Sequence, residues 1–485
     1  MLALLAANIG EVKAGAASRA LLFSLVLAGA LFWLLRVILR DTQSSAFLTT
    51  LLLALFFTYG HAYMLLAAKR PELDHSLLLL GVWALLALLA GFWAIRRPPA
   101  AARLNLIAFG LVAVSLIQIG FGARDGGGHS LGAEHAPIQT DLVLPADPPD
   151  IYYFILDSYA RQDLLETAYG FDIGAFIAAL ESRGFYIADC SQSNYTRTEI
   201  SLGSSLNMLY LQDLDDAFTP ESTRRGVLWD ALKHGAVRYN LESLGYKTVA
   251  FATGYAWNEL TDADLYLSPP AFSSGLSEFE ALLIQTTLAR HLTDVGWLDP
   301  DEIVGQNYRD RFNLIFDSLD NLAHVPGPIF AHIHVMSPHP PFVFDAEGKP
   351  THPADFWNEK RLYPARLYQE GYVNQAAYLN KKMLEGIDML LSESETPPVI
   401  IIQGDHGPWL QPREQHMWIL NAYHLPGHND VLYPSISPVN TFRLVFNAYF
   451  GGKYDILEDV SYYSPVPHLY EFSVIRNRCA QGSGR

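Results

Sequence analysis

One stretch decides the fold: Val399-Ile400-Ile401-Ile402-Gln403-Gly404-Asp405-His406-Gly407. Its first half is apolar and β-branched, and it lies between Pro397-Pro398 and Gly404. This pattern is typical of a central parallel strand that is buried on both faces. In open α/β sheets, ligands bind just beyond the carboxyl ends of such strands. Asp405 and His406 stand at that position, and an adjacent carboxylate and imidazole are candidate metal ligands. A polar turn after a core strand is the simpler interpretation of the same residues.

Strands and helical patterns alternate from residue 151 onwards. The predicted strands are Ile151–Leu156, Lys247–Thr253 and Pro328–Val335, and the predicted helices are Gln162–Arg183, Gly226–Leu244, Glu278–Val295, Tyr308–Ala323 and Arg366–Ser392. This alternation predicts an α/β domain with a mainly parallel sheet that is covered by helices on both faces.

Polar residues follow several of the predicted strands. Asp157 follows the first strand, and His339 lies in the loop after Val335. Because the carboxyl ends of parallel strands share one edge of a sheet, these side chains can converge with Asp405 and His406. Taken singly, each has another explanation, since Asp157 could cap a helix and His339 could be a turn residue between prolines.

A stretch rich in hydroxyl groups, residues 193–208, supplies a candidate nucleophile. It begins with turn residues and becomes helical in pattern from about Thr198. A hydroxyl at a helix N-terminus lies near free backbone N–H groups and the positive end of the helix dipole, which favour an alkoxide and an anionic ester. The sequence Thr196-Arg197-Thr198-Glu199 also fits a capping box with Thr196 as the N-cap, which would place Thr198 in the first turn.

Apolar residues are concentrated in roughly the first quarter of the chain, which has 485 residues and is 50% hydrophobic overall. Four stretches approach the roughly 20 residues that a bilayer core requires. They are Ala20–Leu39, Ala46–Ala68, Ser76–Ile95 and Leu104–Phe121. Residues 1–7 resemble the end of a further span, so we expect the beginning of the chain to be truncated or misassigned. The predicted transmembrane helical bundle therefore comprises residues 1–122, with four full spans and a partial one.

Basic residues indicate the orientation of these spans. Arg36 and Arg40 follow the first span, and Arg96, Arg97 and Arg103 lie between the third and the fourth. By the positive-inside rule, these two connections are cytoplasmic. Four spans then place the remainder of the chain outside the cytoplasm, in the periplasm or at the cell exterior.

A stretch rich in glycine and proline, residues 123–148, is predicted to be a linker, and residues 149–485 are predicted to form one catalytic domain.

Both cysteines, Cys190 and Cys479, lie in this exported part. An oxidising compartment permits a disulfide between them without requiring one. The formal net charge of -17 argues against nucleic-acid binding, which needs a basic surface.

Three features together resemble the alkaline phosphatase and sulfatase superfamily: an aspartate that ends the first strand, a threonine that opens a helix, and the distal sequence Gly404-Asp405-His406-Gly407. The chain is most similar to the membrane-anchored branch, which includes lipoteichoic acid synthase and the lipid A phosphoethanolamine transferases. Three segments look like the nucleophile segment, the substrate-binding histidine segment and the late helix of that branch. They are Thr198–Ser205, Ser337–Phe342 and Pro438–Gly451, respectively.

This resemblance implies one divalent metal ion, zinc or manganese, bound by four residues: Asp157, Thr198, Asp405 and His406. It implies that Thr198 attacks phosphorus and forms a phosphothreonine intermediate, because metal coordination activates a hydroxyl. His339 and, more weakly, His416 are the candidate substrate-binding residues. His332 and His334 alternate along one strand, so we expect them to support the site or the core.

Thr198 is followed by Glu199, Ile200, Ser201 and Leu202, without the proline and arginine that formylglycine sulfatases carry. A second Asp-His-His metal set is also not evident in the sequence. The sequence therefore predicts a multi-pass protein of the bacterial inner membrane, a metal-dependent phosphotransferase or phosphodiesterase. Its expected substrate is a membrane lipid head group or an envelope phosphoester or glycan outside the cytoplasm. The alternatives are a hydrolase of soluble phosphate or sulfate esters and a non-catalytic envelope assembly protein.

Overall fold

The computed structural model describes residues 1–12, 14–69, 75–96, 101–125, 141–270, 275–356, 363–466, 468–477 and 479. They form two compact units. The first unit comprises residues 1–123, 272–307 and 352–364, and the second comprises residues 124–271, 308–351 and 365–485. Most of the predicted linker, residues 126–140, lies outside the described residues. The predicted bounds of the spans, the linker and the catalytic domain stay predictions.

The first unit is helical in its described residues. Its helices are Leu2–Ala7, Ala14–Ala17, Ser18–Leu39, Thr42–Lys69, Ser76–Arg96, Ala101–Asp125, Glu278–Thr286, Leu288–Arg290, His291–Asp294 and Pro353–Phe356, with the first turns of Pro300–Ala323. Three helical stretches are long and apolar enough to cross a membrane, namely Gly15–Leu39, Thr42–Ala67 and Ser76–Trp93. The helix Ala101–Asp125 contains a shorter apolar stretch, Ala108–Phe121, so the fourth predicted span stays a prediction.

Large apolar side chains on these helices are exposed. Leu22, for example, is 63% exposed and Leu88 is 72% exposed. Extended apolar surfaces of this kind mark contact with a membrane or with another protein. The three long helices therefore have the surface, as well as the length, of membrane-spanning segments.

The second unit is built on a seven-stranded sheet. In chain order the strands are β1 (Ile151–Leu156), β2 (Tyr186–Ile187), β3 (Lys247–Phe251), β4 (Leu265–Leu267), β5 (Ile329–Val335), β6 (Val399–Gly404) and β7 (Asn421–His424), and their spatial order is β2-β7-β6-β1-β5-β3-β4. Neighbouring strands from β6 to β4 are parallel, whereas β7 runs antiparallel to β6 and to β2. Every residue of β1, β5 and β6 is buried, so both faces of the sheet are covered. The predicted mainly parallel, doubly covered sheet is confirmed.

Helices and a small hairpin complete the second unit. Its helices are Gln162–Tyr169, Gly174–Ser182, Thr198–Ser205, Leu211–Leu214, Gly226–Lys233, Ala236–Ser243, the remainder of Pro300–Ala323, Ala365–Glu393, Gln415–Met417, Asn429–Val431 and Pro438–Tyr449, and the hairpin pairs β8 (Ser461–Tyr463) with β9 (Ser473–Ile475). A disulfide joins Cys190 to Cys479, with the two Cα atoms 5.5 Å apart. The pairing that the sequence left open is therefore present.

Three predicted helices are wrong as single elements. The pattern over 162–183 forms two helices, because Gly170 takes a left-handed conformation (φ 63°) that ends the first one. The pattern over 226–244 is interrupted between Lys233 and Ala236, and the pattern over 278–295 breaks after Thr286. In each case the apolar periodicity continues across the break. A prediction from periodicity alone therefore treats two helices as one.

Candidate metal centre

The sheet places two aspartates next to each other. β1 and β6 are adjacent parallel strands, and their last residues, Leu156 and Gly404, are partners in register. Asp157 and Asp405 therefore leave the same edge of the sheet side by side. Gly404 is required by a close approach, because a Cβ atom at this position would collide with the carbonyl oxygen of Tyr159.

The two carboxylate oxygens of Asp405 have different surroundings. Oδ1 accepts hydrogen bonds from the backbone N–H groups of Ser158 and His406, both at 2.9 Å. Oδ2 is buried and has no hydrogen-bond partner. Leaving a buried charged oxygen without a partner is costly, so Oδ2 has the environment of an atom that binds a cation.

Ser158 contributes to this arrangement through an uncommon backbone conformation. It lies in the left-handed region with φ 64°, which is unfavourable for a residue with a Cβ atom. Tyr372 donates its hydroxyl to the Ser158 carbonyl at 2.8 Å. Together with the hydrogen bond from Ser158 N–H to Asp405 Oδ1, this contact stabilises the turn that follows Asp157.

His406 presents its Nε2 atom to the same space. Its Nδ1 lies 2.8 Å from the carbonyl oxygen of Gly407, and since a carbonyl only accepts, Nδ1 carries the proton. The neutral ring then has its lone pair on Nε2, which lies 3.5 Å from Asp405 Oδ2 and 3.2 Å from Thr198 Oγ1. This is the tautomer that a metal-binding histidine needs.

Asp157 lies between two histidines. Its Oδ1 is 3.9 Å from His406 Nε2, and its Oδ2 is 3.5 Å from His334 Nε2. Burial alone would raise the pKa of Asp157, but His339, His334 and His406 outweigh it and hold the pKa well below its ordinary value. Asp157 is therefore an ionised ligand candidate.

His334 is a candidate ligand that sequence reasoning assigned to a supporting role. One ligand atom each from Asp157, His334 and Asp405 lie within 4.8 Å of one another, and all three residues are buried. The Nε2 atom of His334 has no hydrogen-bond partner. The sequence gave no signal of this role, because periodicity shows which face of a strand a histidine occupies and not which side chains from neighbouring strands it contacts.

Asn258 contacts the other ring nitrogen of His334. Asn258 Nδ2 lies 3.1 Å from His334 Nδ1, and Asn258 Oδ1 accepts a hydrogen bond from Thr253. In this orientation the amide donates to Nδ1, so the ring proton is on Nε2. The turned amide would accept from Nδ1 instead and leave the Nε2 lone pair free. The amide orientation of Asn258 thus decides whether His334 can bind a metal ion.

Thr198 is the first residue of the helix Thr198–Ser205 and is partly buried. The predicted capping box is wrong. The N-cap is Arg197, which makes no side-chain cap hydrogen bond. The carboxylate of Glu199 accepts a hydrogen bond from Trp229 Nε1 at 3.2 Å. The free N-terminal N–H groups of this helix are therefore not satisfied by a side-chain cap.

The donor set fits a divalent cation. Two ligands of a tetrahedral ion, each about 2.0 Å from it, lie about 3.3 Å apart. The separations from His406 Nε2 to Thr198 Oγ1 and to Asp405 Oδ2 are 3.2 and 3.5 Å, and that to Asp157 Oδ1 is 3.9 Å. Carboxylate, hydroxyl and imidazole donors suit zinc or manganese. Each of the other three predicted ligands thus lies near His406 Nε2, and the sharing of one ion by all four stays a prediction.

The two predicted substrate-binding histidines have different surroundings. His339 is partly exposed, and its Nδ1 donates to the carbonyl oxygen of Pro340 at 2.6 Å, so its lone pair is on Nε2. Both ring nitrogens of His416 face carbonyl oxygens, those of Pro408 at 2.9 Å and Thr196 at 2.8 Å. Burial, followed by the nearby His406, lowers the pKa of His416 to about 4. These contacts suit a residue that positions the segment before Thr198, and a substrate-binding role for either histidine stays a prediction.

No protein-family model matches the chain, and no curated protein matches its sequence. Among solved structures, the chain is similar to lipooligosaccharide phosphoethanolamine transferase A (EptA) from Neisseria meningitidis, with 12% identity, a TM-score of 0.41, and 77% of this chain and 68% of that one covered. It is similar to the zinc complex of the C-terminal periplasmic domain of EcEptC from Escherichia coli, with 12% identity, a TM-score of 0.47, and 70% and 96% covered. It is also similar to a putative sulfatase from Bacteroides thetaiotaomicron, with 14% identity, a TM-score of 0.39, and 65% and 78% covered.

Phosphoethanolamine transferases and sulfatases are thus among the solved structures that the chain resembles. These are also the classes of protein that the motifs around Thr198, His339 and Asp405 resemble.

Proposed function

We propose that the chain is a membrane-bound, metal-dependent phosphotransferase or phosphodiesterase that uses Thr198 as its nucleophile. One observation carries the proposal: Thr198 Oγ1 lies 3.2 Å from His406 Nε2, beside a buried pair of aspartates, one of which has an unpartnered oxygen. A hydroxyl in this position can share a cation with His406, Asp157 and Asp405. His334 is a possible further ligand.

The chemistry follows from the chain's own residues. A divalent ion in this site would supply positive charge to the developing negative charge and lower the pKa of the threonine hydroxyl. The hydroxyl of Thr198 would release its proton to solvent, and Oγ would form a bond to phosphorus while the bond from phosphorus to the leaving oxygen breaks; the threonine regains a proton from solvent when it is restored. The result is a phosphothreonine ester and a leaving alkoxide.

His339 is the candidate for proton transfer. Protonated at Nε2, it gives that proton to the leaving oxygen, and the neutral ring then takes a proton from the incoming alcohol or water. The incoming oxygen attacks phosphorus and breaks the bond to Thr198 Oγ, which restores the threonine. An alcohol acceptor makes the reaction a transfer, whereas water makes it a hydrolysis.

The proposed substrate is a phospholipid head group or an envelope phosphoester outside the cytoplasm. Three helices able to cross a membrane are part of the same chain as the site, so the site is covalently tethered to a bilayer. The disulfide between Cys190 and Cys479 favours an oxidising compartment. Both observations support a multi-pass protein of the bacterial inner membrane with a periplasmic or extracellular site.

Intact-protein and peptide mass spectrometry test the nucleophile. The protein is loaded with zinc or manganese and incubated with phosphatidylethanolamine vesicles. We expect a phosphodiester adduct on Thr198, phosphoethanolamine where diacylglycerol is the leaving group, that Thr198→Ala lacks. Thr196→Ala is the matched control and should keep the adduct. The Thr196 hydroxyl lies 3.5 Å from that of Ser464, away from the candidate metal ligands.

Two synthetic esters separate the proposal from its alternatives. We expect release of nitrophenol from bis(p-nitrophenyl) phosphate and none from p-nitrophenyl sulfate. Turnover of the sulfate ester with no adduct on Thr198 would favour the soluble-ester hydrolase. Protein that binds the metal but shows neither adduct nor turnover would favour the non-catalytic assembly protein.

A further inference from the structure

We propose that the first unit holds an acyl chain of a bilayer lipid, in a cavity between its first two long helices and the segment Ser277–Leu292. This site is separate from the metal centre, and it does not depend on the proposed chemistry. The argument rests on how the segment is attached, on what lines the cavity and on which side of the membrane it lies.

The segment packs directly against the helix Thr42–Lys69. A Cβ atom at Gly60 would collide with the carbonyl oxygen of Gln285, so only glycine permits this approach. Next to it, the fully buried Tyr59 contacts His291 Nε2 through its hydroxyl at 2.8 Å and donates to the carbonyl oxygen of Ser76 at 2.9 Å. A glycine notch and a buried tyrosine thus hold the segment against the long helices.

The cavity beside this contact has a volume of about 670 Å³, within the range of small-molecule sites. Its walls are mainly apolar, and the large apolar side chains are Phe23, Phe56, Phe57, Leu276, Leu283, Ile284, Leu288 and Leu292. Phe23 is 58% exposed and Leu292 is 40% exposed. The cavity is therefore bordered by side chains that also form the outer, apolar surface of the unit.

The charged residues at the cavity neutralise each other. Arg19 donates from Nε to Glu280 Oε1 at 2.9 Å and from a terminal nitrogen to the carbonyl oxygen of Gly275 at 3.0 Å. Glu280 also accepts from the backbone N–H of Ser277 at 2.9 Å, as part of a capping box. Because these charges are already paired, the cavity offers hydrocarbon contact rather than a site for a charged head group.

A hydrocarbon chain is the occupant that this chemistry selects. Water gains little in an apolar cavity, and such cavities stay dry or take apolar ligands. Around helices that cross a bilayer, the abundant apolar molecule is the lipid acyl chain. A chain that leaves the bilayer for the cavity stays in apolar surroundings throughout, so its entry exposes no hydrocarbon to water.

The contacts also indicate that the bound lipid belongs to the outer leaflet of the bilayer. Arg19 is near the beginning of the first long helix, and Ser76 begins the third. By the basic residues of the connections, both of these ends face away from the cytoplasm. The segment Ser277–Leu292 follows the last apolar helix in the chain and would have to lie on that same side. A lipid of the outer leaflet is therefore the one within reach.

Photo-crosslinking in vesicles tests this proposal. Full-length protein is reconstituted with phosphatidylethanolamine that carries a diazirine in the middle of one acyl chain, illuminated and digested. We expect labelled peptides from residues 283–289 as well as from the outward surfaces of the long helices. Absence of label from residues 283–289 in the wild-type protein would overturn the proposal, because an acyl chain in the cavity would contact this part of the segment.

Variants that fill the cavity test whether the label arises from a chain inside it. Ala20 and Ala289 both line the cavity. Ala20→Phe and Ala289→Phe each add volume to its lining, and each should reduce labelling of residues 283–288 several-fold. Leu88→Phe is the matched control, because Leu88 is 72% exposed, and it should leave that labelling unchanged. Equal labelling in the filled variants and the control would place the chain on the surface and refute the cavity. Thr198→Ala should label like the wild-type protein, so failure of the catalytic proposal leaves this test intact.

Discussion

Replacing Asp405 by asparagine tests the metal centre directly. Asp405 Oδ1 accepts two backbone N–H groups, and Oδ2 is buried without a hydrogen-bond partner. In Asp405→Asn, the amide oxygen must take the Oδ1 position to keep those two bonds. The amide nitrogen then occupies the Oδ2 position, where it cannot bind a cation. The variant should therefore keep the fold and lose most of the metal affinity.

The magnitude follows from linkage. A metal ion present at about a thousandfold its dissociation constant stabilises the folded state by about 4 kcal/mol. At about 2 °C per kcal/mol for a large domain, the wild-type melting temperature should rise by about 8 °C when zinc or manganese is added to chelator-treated protein. Asp405→Asn should show little of this rise. Without metal it should melt no lower than the wild-type protein, because the substitution removes an unpaired buried charge, which costs about 1–3 kcal/mol.

Thermal unfolding of the full chain, with chelator and with each metal, measures both effects. Asp172→Asn is the control, because Asp172 is exposed and outside the cluster, and it should behave like the wild-type protein. A full metal-induced rise in Asp405→Asn would refute the assignment of Oδ2 as a ligand. A melting temperature lowered equally with and without metal would mean that the substitution damaged the fold.

Three further predictions concern residues around the site and the sheet. Asn258→Leu should weaken metal binding about 10–100-fold in a chelator competition assay, since His334 loses its partner. Asn258→Asp, which can only accept from His334 Nδ1, should retain the affinity, and equal affinities in both variants would show that His334 is not a ligand. Burial raises the pKa of Asp150 to about 6. The folded protein thus holds this proton more tightly than the unfolded chain, and the resulting stability is lost as the pH rises from about 4 through about 6. Asp150→Asn should be more stable than wild type at pH 7.5, by up to about 3 kcal/mol, and nearly equal to it below the unfolded pKa of about 4. A difference that does not change with pH would contradict this. Ser158→Gly should relieve a left-handed conformation that costs roughly 1–2 kcal/mol, and Ser158→Val should destabilise in chemical denaturation, so equal stability of the two variants would contradict the strain.

The sheet, and the edge of it that carries the candidate metal site, were predictable because the sequence patterns that indicate them are local. Three short apolar runs end in polar residues, and parallel strands bring such ends together whatever the intervening helices do. Asp157 and Asp405 leave adjacent strands whose last residues are in register. Thr198 was also placed at a helix start, because the change from turn residues to helical pattern occurs there.

Other features depend on contacts distant in sequence. His334 was assigned to support, since a strand pattern does not show that Asp157 Oδ2 lies 3.5 Å from its ring. The capping box at Thr196 fits four residues in isolation, but Glu199 is bonded to Trp229 instead. The segment 275–307 belongs to the first unit, although its mixed polar and apolar pattern resembles that of helices in the second. Local sequence specifies which helices and strands form. Contacts between residues distant in sequence determine which of these elements pack together.

The buried charges give the strongest reason for a cation in this site. Asp157 and Asp405 bring two carboxylates into a space closed to solvent, and buried charges require partners. His406 holds a proton on Nδ1 toward the carbonyl oxygen of Gly407, so its Nε2 atom faces the carboxylates. A divalent ion in this site would take Nε2 and both aspartates as ligands and would neutralise the buried pair of charges. The ion would also give the otherwise unpartnered Asp405 Oδ2 a ligand role and would lie beside the hydroxyl of Thr198.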